Sequence, residues 1–136
     1  LGDEEAFGVD VAMAFDECLE YPATRERAIA STQRTTRWLK RCLLARRQPE
    51  RTAVFGIVQG GTYEDLRRDH AQEIAAMDLD GYAIGGLSVG EGHAQMRESA
   101  QVAASVLPAA KVRYLMGVGY PKDIVEAVVV GIDLFD

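Results

Sequence analysis

Apolar positions gather into five short runs, at 9–15, 53–58, 81–84, 112–116 and 132–135. Each run is too short for a helix and closes near a glycine or an acid, as buried strands do. Four longer stretches lie between them, at about 24–46, 62–77, 92–107 and 122–130, and these read as helices. Thr24, two residues behind Pro22, suits a helix start, and Thr62 is the expected cap of the second helix. Leu66, Ile74 and Met77 share a face of that second helix. Pro108 should stop the third helix, while Pro121 suits the first turn of the fourth and Gly131 its exit.

Strands that alternate with helices predict parallel pairing through right-handed crossovers. Five such strands fit either an open doubly wound sheet or part of a closed barrel. The first run is not followed by the Gly-x-Gly-x-x-Gly turn that would favour the open sheet. Unusual residues instead collect where the runs end: Asp16-Glu17-Cys18, Gln59-Gly60-Gly61, Gly85-Gly86-Leu87, Met116-Gly117 and Asp136. In a barrel those ends face one mouth, where active sites form. The expected fold is α/β, a partial (β/α)8 TIM barrel of about five parallel strands and four helices.

With 136 residues, 48% of them hydrophobic and 26% charged, the chain suits one modest domain. No apolar run approaches the roughly 18 residues of a membrane span, and no signal-peptide pattern opens the chain. The chain begins at Leu1 and stops on Asp136 directly after an apolar run, so a piece of a longer protein is expected. Cys18 and Cys42 form no C-x-x-C pair and fit a reducing compartment; His70 and His93 are isolated, so no metal site is expected among these residues. The net charge of −6 is uneven. Residues 25–51 hold nine Lys/Arg against Glu26 and Glu50, which leaves that segment at +7 and the remainder at −13. A cationic segment of this kind is either a polyanion contact or a solvated helix face.

The candidate chemistry follows from position. A carboxylate at a strand end, such as Asp16 or Asp136, can accept hydrogen bonds from a flat N–H edge. It can also attack an electrophilic carbon. The bland alternatives are a turn cap for Asp16 and a loop acid for Asp136. Gln59 offers donor and acceptor to a polar ring, or is a satisfied loop amide. Gly60-Gly61 and Gly85-Gly86 let backbone approach a ligand, or simply serve turns. Met116 can flank a planar base, whereas Tyr114 reads as core. Cys18 lines the same region or is an inert buried thiol. Glu17 and Glu91 read as turn or surface acids, and His70 as a solvated helix residue.

Five segments, "VAMAFDEC", "RTTRWLKRC", "FGIVQGGTYEDLR", "DGYAIGGLSVGE" and "YLMGVGYPKDIVEAVVVGIDLFD", span nearly the whole chain in order. Together they resemble the bacterial tRNA-guanine transglycosylase (queuine tRNA-ribosyltransferase) family. The resemblance implies a (β/α)8 barrel with a zinc-binding insertion, and residues 1–136 as a C-terminal part of its catalytic domain. It implies exchange of the wobble guanine of certain tRNA anticodons for 7-aminomethyl-7-deazaguanine, through a covalent ribosyl-aspartate. Asp136 matches the nucleophile, Asp16 the acid on the donor edge of the base, and Gln59 the amide on the ring carbonyl. Gly86 matches a backbone N–H donor to that oxygen, with Gly85 beside it. Leu87 matches a backbone carbonyl that receives the exocyclic amine. Met116 matches one face of the base sandwich, with Tyr114 and Gly117 nearby. Cys18 and Val89 resemble the bacterial pair that narrows the pocket around the seven-position.

The family's second catalytic aspartate, its other sandwiching aromatic and its zinc ligands have no counterpart in these residues. The resemblance places them outside the chain. It further implies tRNA and a 7-deazaguanine base as partners, a homodimer, zinc as cofactor in the full-length protein and a cytoplasmic location. Alternatives are an archaeal-type relative that makes archaeosine, a non-catalytic tRNA-binding paralogue, and a barrel enzyme for another substrate. Cys18 and Val89 weigh against the first. The presence of Asp16, Gln59 and Asp136 weighs against the second.

Overall fold

The computed structural model describes residues 1–136. Ten elements follow in the order α1 (Gly2–Phe7), β1 (Val11–Met13), α2 (Arg25–Ala45), β2 (Ala53–Val58), α3 (Glu64–Ala75), β3 (Gly81–Ile84), α4 (His93–Ala104), β4 (Val112–Leu115), α5 (Pro121–Val129) and β5 (Leu134–Phe135). The five strands form one sheet in the order β1-β2-β3-β4-β5, every neighbouring pair parallel. The sheet curls into a half-barrel with the helices packed against it.

All five expected strands form, and 53–58 and 81–84 keep the bounds their apolar runs set. β2 and β3 are buried almost end to end, as strands covered on both faces should be. The face toward the helices carries Val58, Tyr82, Ile84 and Leu115, which pack with Leu39 of α2, Ile74 of α3 and Ala100 and Ala103 of α4. Gly56 keeps that layer thin. A Cβ there would stand 2.4 Å from Leu79 Cδ1 and 3.1 Å from Leu39 Cδ2.

The helices depart from expectation at their ends. α2 starts as expected, with the Thr24 hydroxyl accepting from the Arg27 N–H. α3 begins one residue late: Tyr63, not Thr62, is its N-cap residue, without a side-chain cap. α4 ends at Ala104, before Pro108 acts. α5 begins on Pro121 and ends before Gly131. The short helix α1 lacks a counterpart among the expected elements. Its Glu5, 4% exposed, accepts from the Arg47 and Gln48 N–H groups beyond α2, so a distant contact holds what six residues cannot hold alone.

Part of the cationic segment is engaged in ion pairs within the chain, at partly exposed positions. Arg25 pairs with Asp65, Arg27 and Arg34 with Glu17, and Arg46 with Asp80.

Candidate active site

Parallel strands place all their carboxyl ends on one edge of the sheet. That edge receives Asp16 after β1, Gln59 after β2, Gly85-Gly86-Leu87 after β3, Met116-Gly117 after β4 and Asp136 after β5. Each rim residue is fastened by a different device.

Asp16 is half-buried and its Oδ2 accepts a 2.6 Å hydrogen bond from Gln59 Nε2. Burial raises its pKa above the ordinary carboxylate value, and the Gln59 bond opposes that rise. The next residue anchors it. The Glu17 N–H donates to Thr35 Oγ1, the Ser31 hydroxyl donates to the Glu17 carbonyl, and the Glu17 carboxylate takes Arg27 and Arg34. Glu17 is therefore the tie between the β1 exit and α2, not a free turn acid.

Gln59 is wholly buried. Its Oε1 lies against Gly86, where a Cβ would stand 2.2 Å away, and it has no hydrogen-bond partner. Gly86 also has φ +65°, so both space and backbone require glycine. A Cβ on Gly85 would meet Gln59 Nε2 at 2.9 Å and Ile57 Cγ2 at 2.7 Å. Asp16, Gln59, Gly85 and Gly86 thus form one cluster. The Cys18 thiol joins it through the Gly86 backbone; local desolvation raises its pKa although the residue as a whole is exposed. Asp16 and Gln59 bond to each other, which leaves Oε1 as the Gln59 amide atom without a partner.

Two residues beneath this cluster carry more than the sequence suggested. His70 is 3% exposed, a correction to the expected solvated histidine. Its Nδ1 accepts the Gln59 N–H at 2.8 Å, and its Nε2 faces Thr36 Oγ1 at 3.1 Å, which donates to Glu73 Oε2 at 3.0 Å. The ring is therefore the neutral Nε2–H tautomer, and burial lowers its pKa to about 4. Arg67 passed unnoticed because an arginine on an amphipathic helix ordinarily faces water. It is wholly buried, with its guanidinium on the carbonyls of Gly61, Gly85 and Val58.

The far end of the rim has its own cluster. Asp136 is exposed, and its Oδ1 accepts the Gly117 N–H at 2.6 Å. The Tyr114 side chain lies near enough to feel the Asp136 carboxylate. Tyr114 is half-buried there and not a core residue; burial first, and then Asp136, raises its pKa. Met116 is half-buried on the same edge, its N–H on the Ile84 carbonyl at 3.2 Å. A cavity of about 620 Å³ opens beside Gly117, between the loops after β3 and β4, with Glu91, His93, Tyr120 and Asp123 in its wall. Asp16 and Gln59 do not line it. Leu87 is buried, while Val89 is 40% exposed in the loop that follows it. The Glu91 carboxylate accepts the Ser88 and Val89 N–H groups and so shapes that loop.

No three His, Cys, Asp or Glu side chains converge as a metal would need. No helix is long and apolar enough to cross a membrane.

The family model described as queuine tRNA-ribosyltransferase matches residues 4–136. The chain is 52% identical over 133 residues to the queuine tRNA-ribosyltransferase of Halalkalibacterium halodurans, covering 98% of this chain and 35% of that protein. It is 53% identical over 133 residues to that of Thermosynechococcus vestitus, with the same coverage. It is 55% identical over 129 residues to that of Acetivibrio thermocellus, covering 95% of this chain and 34% of the relative. The chain spans about a third of the length of the curated relatives it matches.

Proposed function

The chain belongs to the queuine tRNA-ribosyltransferase family, and on that premise we propose that it forms part of the catalytic barrel of a tRNA-guanine transglycosylase. The observation that carries the reading is the rim: Asp136 at one end, with the Gly117 N–H on its carboxylate, and the Asp16–Gln59–Gly86 cluster at the other. The proposed reaction replaces the wobble guanine of a tRNA anticodon with 7-aminomethyl-7-deazaguanine.

The target base leaves its stack to reach the rim, at a cost of a few kcal/mol. The Asp136 carboxylate attacks the ribose anomeric carbon as the bond to the base breaks, and the incoming base then attacks the resulting ester from the vacated side. Asp16 accepts from the N–H edge that both bases share. Gln59 and the Gly86 N–H hold the ring carbonyl, the Leu87 carbonyl takes the exocyclic amine, and Met116 covers one face. Cys18 and Val89 bound the space at the seven-position. Two successive displacements make the kinetics ping-pong.

The full-length protein, on this reading, is a zinc-bearing homodimer that works on tRNA in the cytoplasm. Zinc would supply structure to a segment other than 1–136. The test is covalent trapping of tRNA on the full-length protein. Asp136→Asn is expected to abolish the trapped adduct while free-base affinity stays within about threefold, since an amide still bonds but does not attack. An adduct formed undiminished by the variant moves the nucleophile elsewhere. A wild type that binds tRNA but never exchanges labelled guanine favours a binding module.

A further inference from the structure

We propose that Arg67 is a positioning residue for base release: its buried guanidinium, unpaired with any carboxylate, fixes the backbone around Gln59 and Gly86 and supplies the positive field toward which negative charge moves as the base departs. The inference rests on the exchange reaction proposed above.

Arg67 is the bulkiest of the fully buried side chains, 0% exposed. Its Nε and Nη2 donate to the Gly61 carbonyl at 2.9 and 2.8 Å, and its Nη1 reaches the Gly85 carbonyl at 3.1 Å and that of Val58 at 3.5 Å. These carbonyls sit at the end of β2, in the loop after it and at the end of β3. They flank Gln59 on both sides and lead directly into Gly86. The main chain helps: a Cβ on Gly60 would stand 2.7 Å from the Arg67 nitrogen. One side chain from α3 therefore sets the spacing of the two loops that hold the ring carbonyl.

The charge itself needs a reason. Ion pairs elsewhere in the chain engage Arg25, Arg27, Arg34, Arg46 and Arg97, and Arg67 takes part in none. Glu91 is the carboxylate whose charge acts on it, at a distance too long for an ion pair. Burial lowers its pKa to about 10, so it remains a cation at neutral pH. A buried charge without an ion-pair partner is costly, and the bonds to three carbonyls offset only part of that cost. Such a group directly beneath the rim cluster is a candidate for function.

The reaction supplies the counter-charge. When an Asp136 oxygen bonds to the anomeric carbon, the carbon–nitrogen bond breaks and its electron pair leaves with the base. Asp136 becomes a neutral ester and the base carries the negative charge until it takes a proton. The charge forms on the nitrogen that held the ribose and is delocalised through the conjugated ring onto the ring carbonyl, the atom assigned to Gln59 and Gly86. Asp136 directly follows β5, whereas the carbonyls held by Arg67 lie at the ends of β2 and β3 and in the loop after β2. Charge thus travels across the rim toward the cation. Field stabilisation of this kind acts in the transition state more than in the bound state.

The experiment uses the full-length protein with Arg67→Met and Arg67→Lys. Folding is followed by circular dichroism, guanine affinity by calorimetry, and base release by the single-turnover rate of tRNA trapping. Arg67→Met is expected to slow trapping about 10- to 100-fold, with guanine affinity falling by a clearly smaller factor as the loops lose that tie, and Arg67→Lys to recover at least half of the rate loss on a logarithmic scale. An unchanged rate in Arg67→Met overturns the proposal. So does a fall in rate and affinity together without rescue by lysine, which marks a merely structural arginine. Should Arg67→Met not fold, Arg67→Lys decides: reduced thermal stability with trapping within about tenfold of wild type supports the charge role, and loss of rate in step with affinity overturns it. A wild type that traps no tRNA refutes the exchange reading, and this inference with it. A trapping wild type with an unaffected Arg67→Met refutes the inference alone.

Discussion

Acidification should weaken the fold through His70, and the size of the effect follows from its surroundings. The imidazole is 3% exposed, and its Nδ1 lone pair receives the Gln59 N–H at 2.8 Å. A second proton would sit on Nδ1, facing that donor, in a site that water does not reach. Burial is the main cause of the lowered pKa; Glu73 pulls the other way and Arg67 adds to the lowering. The value falls from 6.5 in an open chain to about 4 in the fold. At about 1.36 kcal/mol per pH unit, the difference is worth roughly 3 kcal/mol. The folded pKa is the depressed one, so this stability is present above pH 6.5 and is lost as pH falls toward 4. By about pH 4.5 some 2.5 kcal/mol should be gone. Urea unfolding of the full-length protein and of His70→Gln at pH 7.5 and about 4.5 measures the effect: the gap between them should narrow by about that amount. Ring-nitrogen NMR reads the tautomer directly. A His70 midpoint near 6.5, or an Nδ1–H tautomer, would refute the assigned relay from Gln59 to Glu73.

Other expectations concern the rim. Gly86→Ala forces a Cβ to within 2.2 Å of Gln59 Oε1 at φ +65°; a loss of about 1–3 kcal/mol in unfolding free energy, with base affinity lost, is expected by urea titration and calorimetry. Asp16 has a pKa raised by burial. If the base needs its ionised form, guanine affinity should fall on acidification at a pH above the ordinary carboxylate midpoint. Asp16→Asn should be weak but flat with pH, and an equally steep profile in the variant would assign the titration to another group. Since the folded pKa is the higher one, ionising Asp16 subtracts stability as pH rises from 3.8 through that raised value, the opposite sense to His70.

The sequence by itself determined the alternation of strand and helix, the parallel sheet and the edge on which Asp16, Gln59, Gly86 and Asp136 stand. These follow from local periodicity, because a short apolar run between turn residues has few other ways to bury itself. The same reasoning could not find α1, whose six residues depend on Glu5 reaching Arg47 and Gln48 some forty positions away. Nor could it tell that Tyr114 leaves the core for Asp136, that His70 sits under Gln59, or that Arg67 is buried on three carbonyls. Helical spacing shows which residues share a face of α3. Whether that face meets water or a neighbouring loop depends on where the strand ends bring Gly61, Gly85 and Val58, and only the packed fold decides that. Desolvation and hydrogen bonding act through space over a few ångströms, so the groups that tune the rim belong to the tertiary structure even when the residues at the rim are legible in the chain.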